Sequence, residues 1–244
     1  ESRGMRRLAR NLKPNKFSDI TAMVALFRPG PMELIDDFVE GKKHPERVQY
    51  LHPDLKAILE PTYGVAVYQE QCMQIANKVA GYTMAEADNL RRAIGKKKKA
   101  IMAVEKKKFI AGAIKNKYSQ IIAEKIWSFI EKFVGYGFNI PHAVSYAMIA
   151  YQTAYMKVKF PLEYMTAMLT SESRASTGPI RDMKVAQAIE ECRRLGIGLL
   201  APNINNSAEN FTIEEKAIRF GLSAIKNVGT AAVGAILMAR KMGK

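Results

Sequence analysis

Acidic residues are scarce in this sequence: 23 Asp and Glu stand against 38 Lys and Arg, which gives a formal net charge of +15 at pH 7. A compact chain with so large an excess of one sign repels itself, so the excess is typical of proteins that have a polyanionic partner. Nucleic acid is the commonest such partner, and an anionic membrane surface is the next.

Cysteine and histidine are also rare, with two and three copies respectively. Cys72 and Cys192 lie far apart in the sequence, each on the apolar face of a predicted helix. We predict that both are buried thiols in a reducing compartment rather than a disulfide or a metal site. His44, His52 and His142 do not fall at ligand spacing from Cys or Asp, and no metal ligand is predicted in this chain.

Long apolar runs are missing as well. No run is long enough to span a bilayer, and residues 1–7 lack the apolar core of a signal peptide. We therefore expect a cytoplasmic protein without a membrane partner. Because the sequence begins without an initiator Met, we also expect it to be an excised part of a longer chain.

Helical periodicity dominates what is present. Thr83 and Glu86 form a capping box that predicts a helix from Met84, and Gly95 ends it. A second helix is predicted from Pro141 to the stop at Pro161. Its apolar stripe is predicted to be buried and comprises Ala143, Val144, Ala147, Met148, Tyr151, Ala154, Tyr155 and Val158.

The helical period fades after Gly196. Residues 211–213 and 218–220 predict a short β-hairpin, residues 173–179 predict a surface loop, and residues 222–240 are predicted to be helical again. We predict a mainly α fold: a multi-helical domain at 1–196, followed at 197–244 by a linker with a small β element and the start of a helix-hairpin-helix module.

The most informative basic block surrounds Arg91 and Arg92, on the last turn of the helix that begins at Met84. Four lysines follow in the break after it: Lys96, Lys97, Lys98 and Lys99. Arginine forks two N–H groups onto phosphate oxygens and lysine acts as a point charge, so the block suits a triphosphate. The alternative is a solvated basic surface in which Asp88 pairs with Arg92. Lys106, Lys107 and Lys108 repeat the theme, but three consecutive residues cannot share one helix face.

A second block places Tyr136 between two glycines, followed by Phe138, Asn139 and His142. The glycines allow the backbone to approach a ligand closely. Together with Ser145 and Tyr146 on the following helix, these side chains could stack on a base and bond its edge or its sugar. The alternative is aromatic core packing with a satisfied histidine.

Residues 222–236 have the pattern of a helix-hairpin-helix with a tight turn at Val228, Gly229 and Thr230. Such turns direct backbone N–H groups at a DNA phosphate without reading sequence. Asn227 stands where the usual turn has its first glycine, and Asn tolerates a left-handed conformation.

Taken in order, these blocks resemble the C-family replicative polymerases, the alpha subunits of bacterial DNA polymerase III. The resemblance covers essentially the whole chain and is carried by ALFRPGP at 25–31, EPTYGVAVYQEQCM at 60–73, ADNLRRA at 87–93, YGFN at 136–139, YQTAY at 151–155 and PLEYM at 161–165. The family commonly has a Lys and a small polar residue where Ile140 and Pro141 stand, so this chain lacks a charge there and has a stiffer turn.

The resemblance implies template-directed addition of deoxynucleotides to a primer, with Mg²⁺ held by three palm aspartates that lie upstream of Glu1 in the family. The chain by itself is therefore expected to be inactive. The resemblance further implies a fingers domain that binds dNTP and primer–template DNA, with the sliding clamp and other replisome subunits as partners. Together with the blocks described above, it predicts nucleotide contacts at Arg91, Arg92, Lys96, Lys97, Tyr136, Phe138, Asn139, His142, Ser145 and Tyr146, of which Ser145 and Tyr146 come from the residue pattern alone. DNA contacts are predicted at Lys98, Lys99, Lys106, Lys107, Val228, Gly229 and Thr230, of which Lys106 and Lys107 likewise come from the pattern of charge alone.

Two other functions compete with this one. A basic helical scaffold for nucleic acid or for a partner protein would show the same charge and the same helices. An inactive paralogue would keep the fingers without the chemistry. Sequence upstream of Glu1, with or without spaced aspartates, distinguishes them.

Overall fold

The computed structural model describes residues 2–95, 99–134, 136–175 and 178–243. The chain divides into two compact units, Glu1–Tyr151 and Gln152–Lys244, and each has a buried core of its own. This division into compact units does not test the predicted domain boundary between residues 196 and 197, which stays a prediction. The mainly α fold class with a small sheet is confirmed.

Most of the described part of the first unit is helical, as the strong helical periodicity predicts, and the helices are joined by turns, irregular segments and short 3₁₀ helices. They are α1 (Arg3–Leu12), α2 (Phe17–Leu26), α3 (Ile35–Lys43), α4 (Lys56–Leu59), α5 (Gln69–Ala80), α6 (Met84–Gly95), α7 (Lys99–Lys115), α8 (Gln120–Val134) and α9 (Ile140–Lys159), the last of which contains the division between the units. The predicted capping box is confirmed: Glu86 accepts from the N–H of Thr83 at 2.8 Å, and Thr83 accepts from the N–H of Glu86 at 3.2 Å.

The core of the first unit is centred on α5, α7 and α8, where Ile75, Phe109 and Trp127 are fully buried. Helices α5 and α7 approach so closely that a Cβ on Gly112 would lie 2.3 Å from the carbonyl oxygen of Ala80. Cys72 is a buried free thiol in this core, as predicted, and burial is the main cause that raises its pKa to about 12.

A buried carboxylate ties the N-terminal helices of this unit together. Asp19 of α2 lies 2.5 Å from the ammonium of Lys42 on α3 and accepts hydrogen bonds from the backbone N–H groups of Asn15 and Lys16 and from the hydroxyl of Tyr63. Burial acts to raise the pKa of Asp19, but the hydrogen bonds from Lys42 and the two N–H groups outweigh it and lower the pKa.

The second unit combines helices with a three-stranded sheet. Its elements are α10 (Pro161–Ala175), α11 (Gly178–Arg194), β1 (Gly198–Leu200), β2 (Thr212–Glu214), β3 (Ala217–Arg219) and α12 (Thr230–Lys241). The predicted hairpin is confirmed as β2 and β3, which pair antiparallel with Ile213 opposite Ile218. Strand β1 pairs parallel to β3 and was not predicted. The core lies between the sheet and the helices and includes Met165, Leu169 and the predicted buried Cys192.

Three local predictions differ from the structure. Residues 173–175 belong to α10 instead of a loop, and residues 222–240 form a 3₁₀ turn (Leu222–Ala224), an irregular stretch and α12 instead of one helix. The apolar stripe of α9 is mostly not buried: Ala143 and Ala147 are buried, whereas Val144, Met148 and Val158 are exposed. Periodicity therefore located this helix correctly but not the extent to which its apolar stripe is covered.

Among the described helices, none combines the length and the apolar character that crossing a lipid bilayer requires.

Candidate functional site

One carboxylate holds both arginines near the C-terminal end of α6. Asp88 Oδ1 accepts from Nε of Arg91 at 2.8 Å and lies 2.8 Å from its Nη2, while Oδ2 lies 2.8 Å from Nη2 of Arg92. The hydrogen bond from Arg91 is the main cause that lowers the pKa of Asp88, and Arg92 adds to it. The predicted pair of Asp88 and Arg92 is therefore present. One negative charge shared by two guanidinium groups leaves one positive charge in excess.

Gln69, the first residue of α5, connects Arg91 to the glycine-flanked loop. Its side-chain oxygen accepts from Nη1 of Arg91 at 3.1 Å, and its backbone N–H donates to the carbonyl of Phe138 at 3.0 Å. The N–H of Phe138 donates to the carbonyl of Val67 at 3.0 Å, which completes a parallel bridge. Gly137 permits the approach, since a Cβ there would lie only 3.1 Å from the Gln69 nitrogen. The fold thus brings the guanidinium of Arg91 close to the loop at 136–139.

Aromatic rings continue from this loop along the first two turns of α9. The ring centroids of Phe138 and His142 are 5.3 Å apart, and those of His142 and Tyr146 are 4.7 Å apart. Tyr136 is 44% exposed and Tyr146 is 56% exposed. These exposures argue against the alternative of aromatic core packing for the two tyrosines, and they leave ring surface open to a ligand.

Arg28 fixes the loop from its other side. Its Nε donates to the carbonyl of Ala25 at 2.9 Å, its Nη2 donates to the carbonyl of Tyr136, and its guanidinium carbon lies 4.7 Å from the ring centroid of Phe138. Burial lowers the pKa of Arg28. Gly30 lies against the ring of Tyr136, where a Cβ would come within 2.6 Å, and its φ of +96° also requires glycine.

The carboxylate of Glu70 caps the N-terminal end of α9. Glu70 accepts from the N–H of Ile140 at 3.2 Å and from the side-chain amide of Asn139 at 3.1 Å. Asn139 in turn accepts from the N–H of His142 at 3.1 Å, and the Ser145 hydroxyl donates to the carbonyl of Pro141 at 2.9 Å. Because Glu70 already occupies the N–H of Ile140, the turn at Ile140 and Pro141 offers a phosphate neither a charge nor that donor.

The basic residues after α6 are described in part. Lys96, Lys97 and Lys98 lie outside the described residues, and Lys99 is the first residue of α7. Lys106 and Lys107 are exposed on α7. Lys108 is 2.9 Å from Glu86 and 4.7 Å from the ring centroid of Tyr82, so it serves to join α7 to α6.

In the second unit, the turn before α12 has the predicted left-handed residue. Asn227 has φ 63°, whereas Gly229 is extended and is the N-cap of α12. The N–H of Val228 donates to the carbonyl of Ile225 at 3.3 Å, Thr230 is the first helical residue, and no side chain caps the helix. A helix N-terminus without a side-chain cap has N–H groups available for an anion.

Sequence reasoning assigned no role to Arg28, Gln69 or Glu70, although each contacts the candidate site. Their signal is weak in the sequence alone. Arg28 precedes the Pro29, Gly30, Pro31 break, and Gln69 and Glu70 begin a helix, so each position is unusual only once the loop at 136–139 is placed beside it. Among the described residues, no group of three or more His, Cys, Asp or Glu is placed to hold a metal ion.

Comparison with known families gives this site a context. Residues 1–117 match the family model of the bacterial DNA polymerase III alpha subunit finger domain, and residues 196–244 match a helix-hairpin-helix motif. Residues 1–117 belong to the finger-domain family of bacterial DNA polymerase III alpha subunits. The finger-domain match includes Arg28, Gln69, Glu70, Arg91 and Arg92, and the second match includes the turn at Asn227.

Curated relatives that match nearly the whole chain are DNA polymerase III alpha subunits. The chain is 45% identical over 241 residues to DNA polymerase III subunit alpha of Halalkalibacterium halodurans, an alignment that covers 99% of this chain and 21% of the relative. It is 44% identical over 245 residues to the subunit of Borreliella burgdorferi, covering 100% of this chain and 21% of the relative. The chain therefore spans about a fifth of the length of these curated relatives.

Proposed function

We propose that this chain is the nucleotide- and DNA-binding fingers region of a replicative DNA-directed DNA polymerase, together with the start of its helix-hairpin-helix module. The intact subunit would add deoxynucleotides to a primer 3′ end on a DNA template. Mg²⁺ would neutralise charge on the triphosphate, and the resemblance assigns its ligands to palm aspartates upstream of this chain. The sliding clamp and other replisome subunits in the cytoplasm would be further partners.

The observation that supports nucleotide binding best is the link through Gln69. Gln69 places the guanidinium of Arg91 beside the loop at 136–139 and the first turns of α9. A guanidinium binds phosphate well, and the exposed aromatic rings there can stack on a base. Arg91 and Arg92 would bind the triphosphate. Tyr136, Phe138, Asn139, His142, Ser145 and Tyr146 would line the base and the sugar, with Arg28 and Glu70 holding this group in place.

Lys96 and Lys97 would add charge near the triphosphate. Lys98, Lys99, Lys106 and Lys107 would lie along the DNA backbone, together with the turn at Val228, Gly229 and Thr230. This assignment uses the exposure of Lys106 and Lys107 and the uncapped N-terminus of α12.

The triphosphate role is tested by Arg91→Ala and Arg92→Ala in the polymerase subunit that carries this segment. Losing a charge-assisted contact should raise KM for dNTP by about tenfold or more, because such bonds contribute about 1.5–3 kcal/mol. The Kd for primer–template DNA should change less. Arg193→Ala is a matched control, since Arg193 is as exposed as Arg92 and pairs with Glu190 at 3.2 Å on α11. A dNTP dependence equal to that of the control would refute the assignment.

A further inference from the structure

Helix α1 presents four arginines on one face. Arg3, Arg6, Arg7 and Arg10 are spaced i, i+3, i+4 and i+7, so they share an arc of roughly 100° on the helix surface. All four are exposed. None of them was assigned a role by the sequence motifs, and none lies in the site around Arg91.

The opposite face of α1 is fixed to the core. Leu8 and Leu12 are buried, and Met5 and Ala9 pack against the core beside them. Both ends are held: Ser2 accepts from the N–H of Met5 at 3.2 Å, and the carbonyl of Lys13 accepts from the ammonium of Lys42 at 3.0 Å. The arginine face, meaning Arg3, Arg6, Arg7 and Arg10, is therefore carried on a rigid support.

The arginine face has no neutralising partner among the described residues. Its first turn has no acid, and Asp19, the first acidic residue after Glu1 in the sequence, is already paired with Lys42. Lys13 and Lys16 extend the positive charge beyond the end of the helix and are also exposed. A fixed array of uncompensated guanidinium groups favours a polyanion, because each group forks two N–H donors onto phosphate oxygens.

We infer that the arginine face of α1 binds successive phosphates of a DNA backbone, a contact that deepens the proposed function and rests on it. From Arg3 to Arg10 the helix rises about 10 Å. Because the strand of a DNA duplex carries a regular row of phosphates and the arginine side chains are long, groups at this spacing can reach neighbouring phosphates of one strand. The contact is independent of base sequence, as backbone contacts by arginine are.

An anionic membrane surface fits this helix less well. Amphipathic helices bind membranes by inserting their apolar face below the headgroups. In α1 that face, with Leu8 and Leu12, is already buried in the protein core. Only its charged face is available, which leaves DNA as the better match.

The test is a titration of a labelled primer–template duplex with the 244-residue chain at salt concentrations from about 50 to 200 mM. The variant is Arg6→Gln with Arg7→Gln. Its matched control is Lys115→Gln with Lys125→Gln, which removes the same charge from exposed positions on α7 and α8. A charge-preserving variant, Arg6→Lys with Arg7→Lys, checks that charge is what matters, and thermal unfolding checks that all variants fold.

Losing two phosphate contacts should reduce the steepness of the plot of log K against log salt concentration by about 1.8. The ratio of the wild-type to the variant association constant should therefore fall about tenfold between the lowest and the highest salt concentration. The lysine variant should keep the wild-type slope, and the control should keep most of it. Equal losses in the arginine variant and the control, or loss of binding to phosphatidylserine vesicles without loss on DNA, would overturn the inference. If the wild-type chain shows no salt-dependent DNA binding, the proposed function fails instead.

Discussion

The Asp19 carboxylate is almost fully buried and accepts hydrogen bonds from four groups. It joins the end of α1, the start of α2, Lys42 of α3 and Tyr63. The same ammonium of Lys42 also bonds the carbonyl of Lys13. Asp19 thus helps to hold the segment that follows the helix bearing the arginine face, and removing its charge would leave the mostly buried ammonium of Lys42 without a counter-ion.

We predict that Asp19→Asn destabilises the chain by about 3 kcal/mol at neutral pH, as breaking a buried ion pair does. Because the pKa of Asp19 is lowered on folding, its contribution is present above about pH 4 and is lost as the pH falls through the folded value. Urea unfolding at neutral and acidic pH measures both effects. The difference between wild type and variant should shrink on acidification.

Asp36→Asn is the control for this prediction, because Asp36 is an exposed acid on α3. Its effect should stay within about 0.5 kcal/mol. A pH-independent difference for Asp19→Asn would show that the lost stability does not depend on the carboxylate charge.

Residue chemistry made part of the candidate site predictable from sequence. Arg91, Tyr136 and His142 could be named because charge, flanking glycines and adjacent rings mark them locally. Arg28, Gln69 and Glu70 could not be assigned roles, since their partners lie far along the chain and only the fold brings them together. The spacing of residues within a short segment does not indicate which distant segment their side chains will contact.

Helices α5 and α7 approach each other closely at Gly112, which has no side chain to separate the two backbones. Gly112 faces the carbonyl of Ala80, and the side-chain amide of Asn116 donates to the carbonyl of Val79 at 3.0 Å. The last turn of α5 is therefore bonded to the end of α7. This crossing supports the core around Phe109 and also fixes α5, whose first residues organise the candidate site.

We predict that Gly112→Ala destabilises the chain by about 1–3 kcal/mol, because the new methyl group forces the two backbones apart. The measurement is the urea-unfolding free energy. Gly234→Ala is the matched control, since a Cβ there meets nothing within 4 Å on α12. The control should be neutral or stabilising by about 0.5–1 kcal/mol, as alanine favours a helix over glycine. A stabilised Gly112→Ala would contradict the close crossing.

At the scale of elements, helix positions followed from caps, prolines and periodicity, while the sheet did not. The β2–β3 hairpin was predictable because its strands are adjacent in sequence. Strand β1 pairs with β3 across an intervening segment, which no local pattern reports. The exposed stripe of α9 was predicted as buried because periodicity indicates a helix but not how much of its face a neighbour covers.

Two cores are present in the described part of the chain, and the single tryptophan of the sequence lies in the first of them. Trp127 is fully buried in the first unit, whereas helices of both units contribute to far-ultraviolet circular dichroism. We predict that urea-unfolding curves from Trp fluorescence and from circular dichroism do not superimpose, because separate cores need not unfold together. Coincident curves at several temperatures would show that the two units unfold as one.

Asp88 has a consequence for which ligands the arginine pair would accept on the proposed function. Its carboxylate already pairs with both guanidinium groups, so an anionic ligand must compete with a carboxylate on the same helix. A ligand with one negative charge would exchange one ion pair for another of the same charge, and its loss of translational freedom on binding would make the exchange unfavourable. A triphosphate brings several charges and gains from the exchange. The ion pair would therefore act as a charge threshold that turns away nucleosides and simple monoanions.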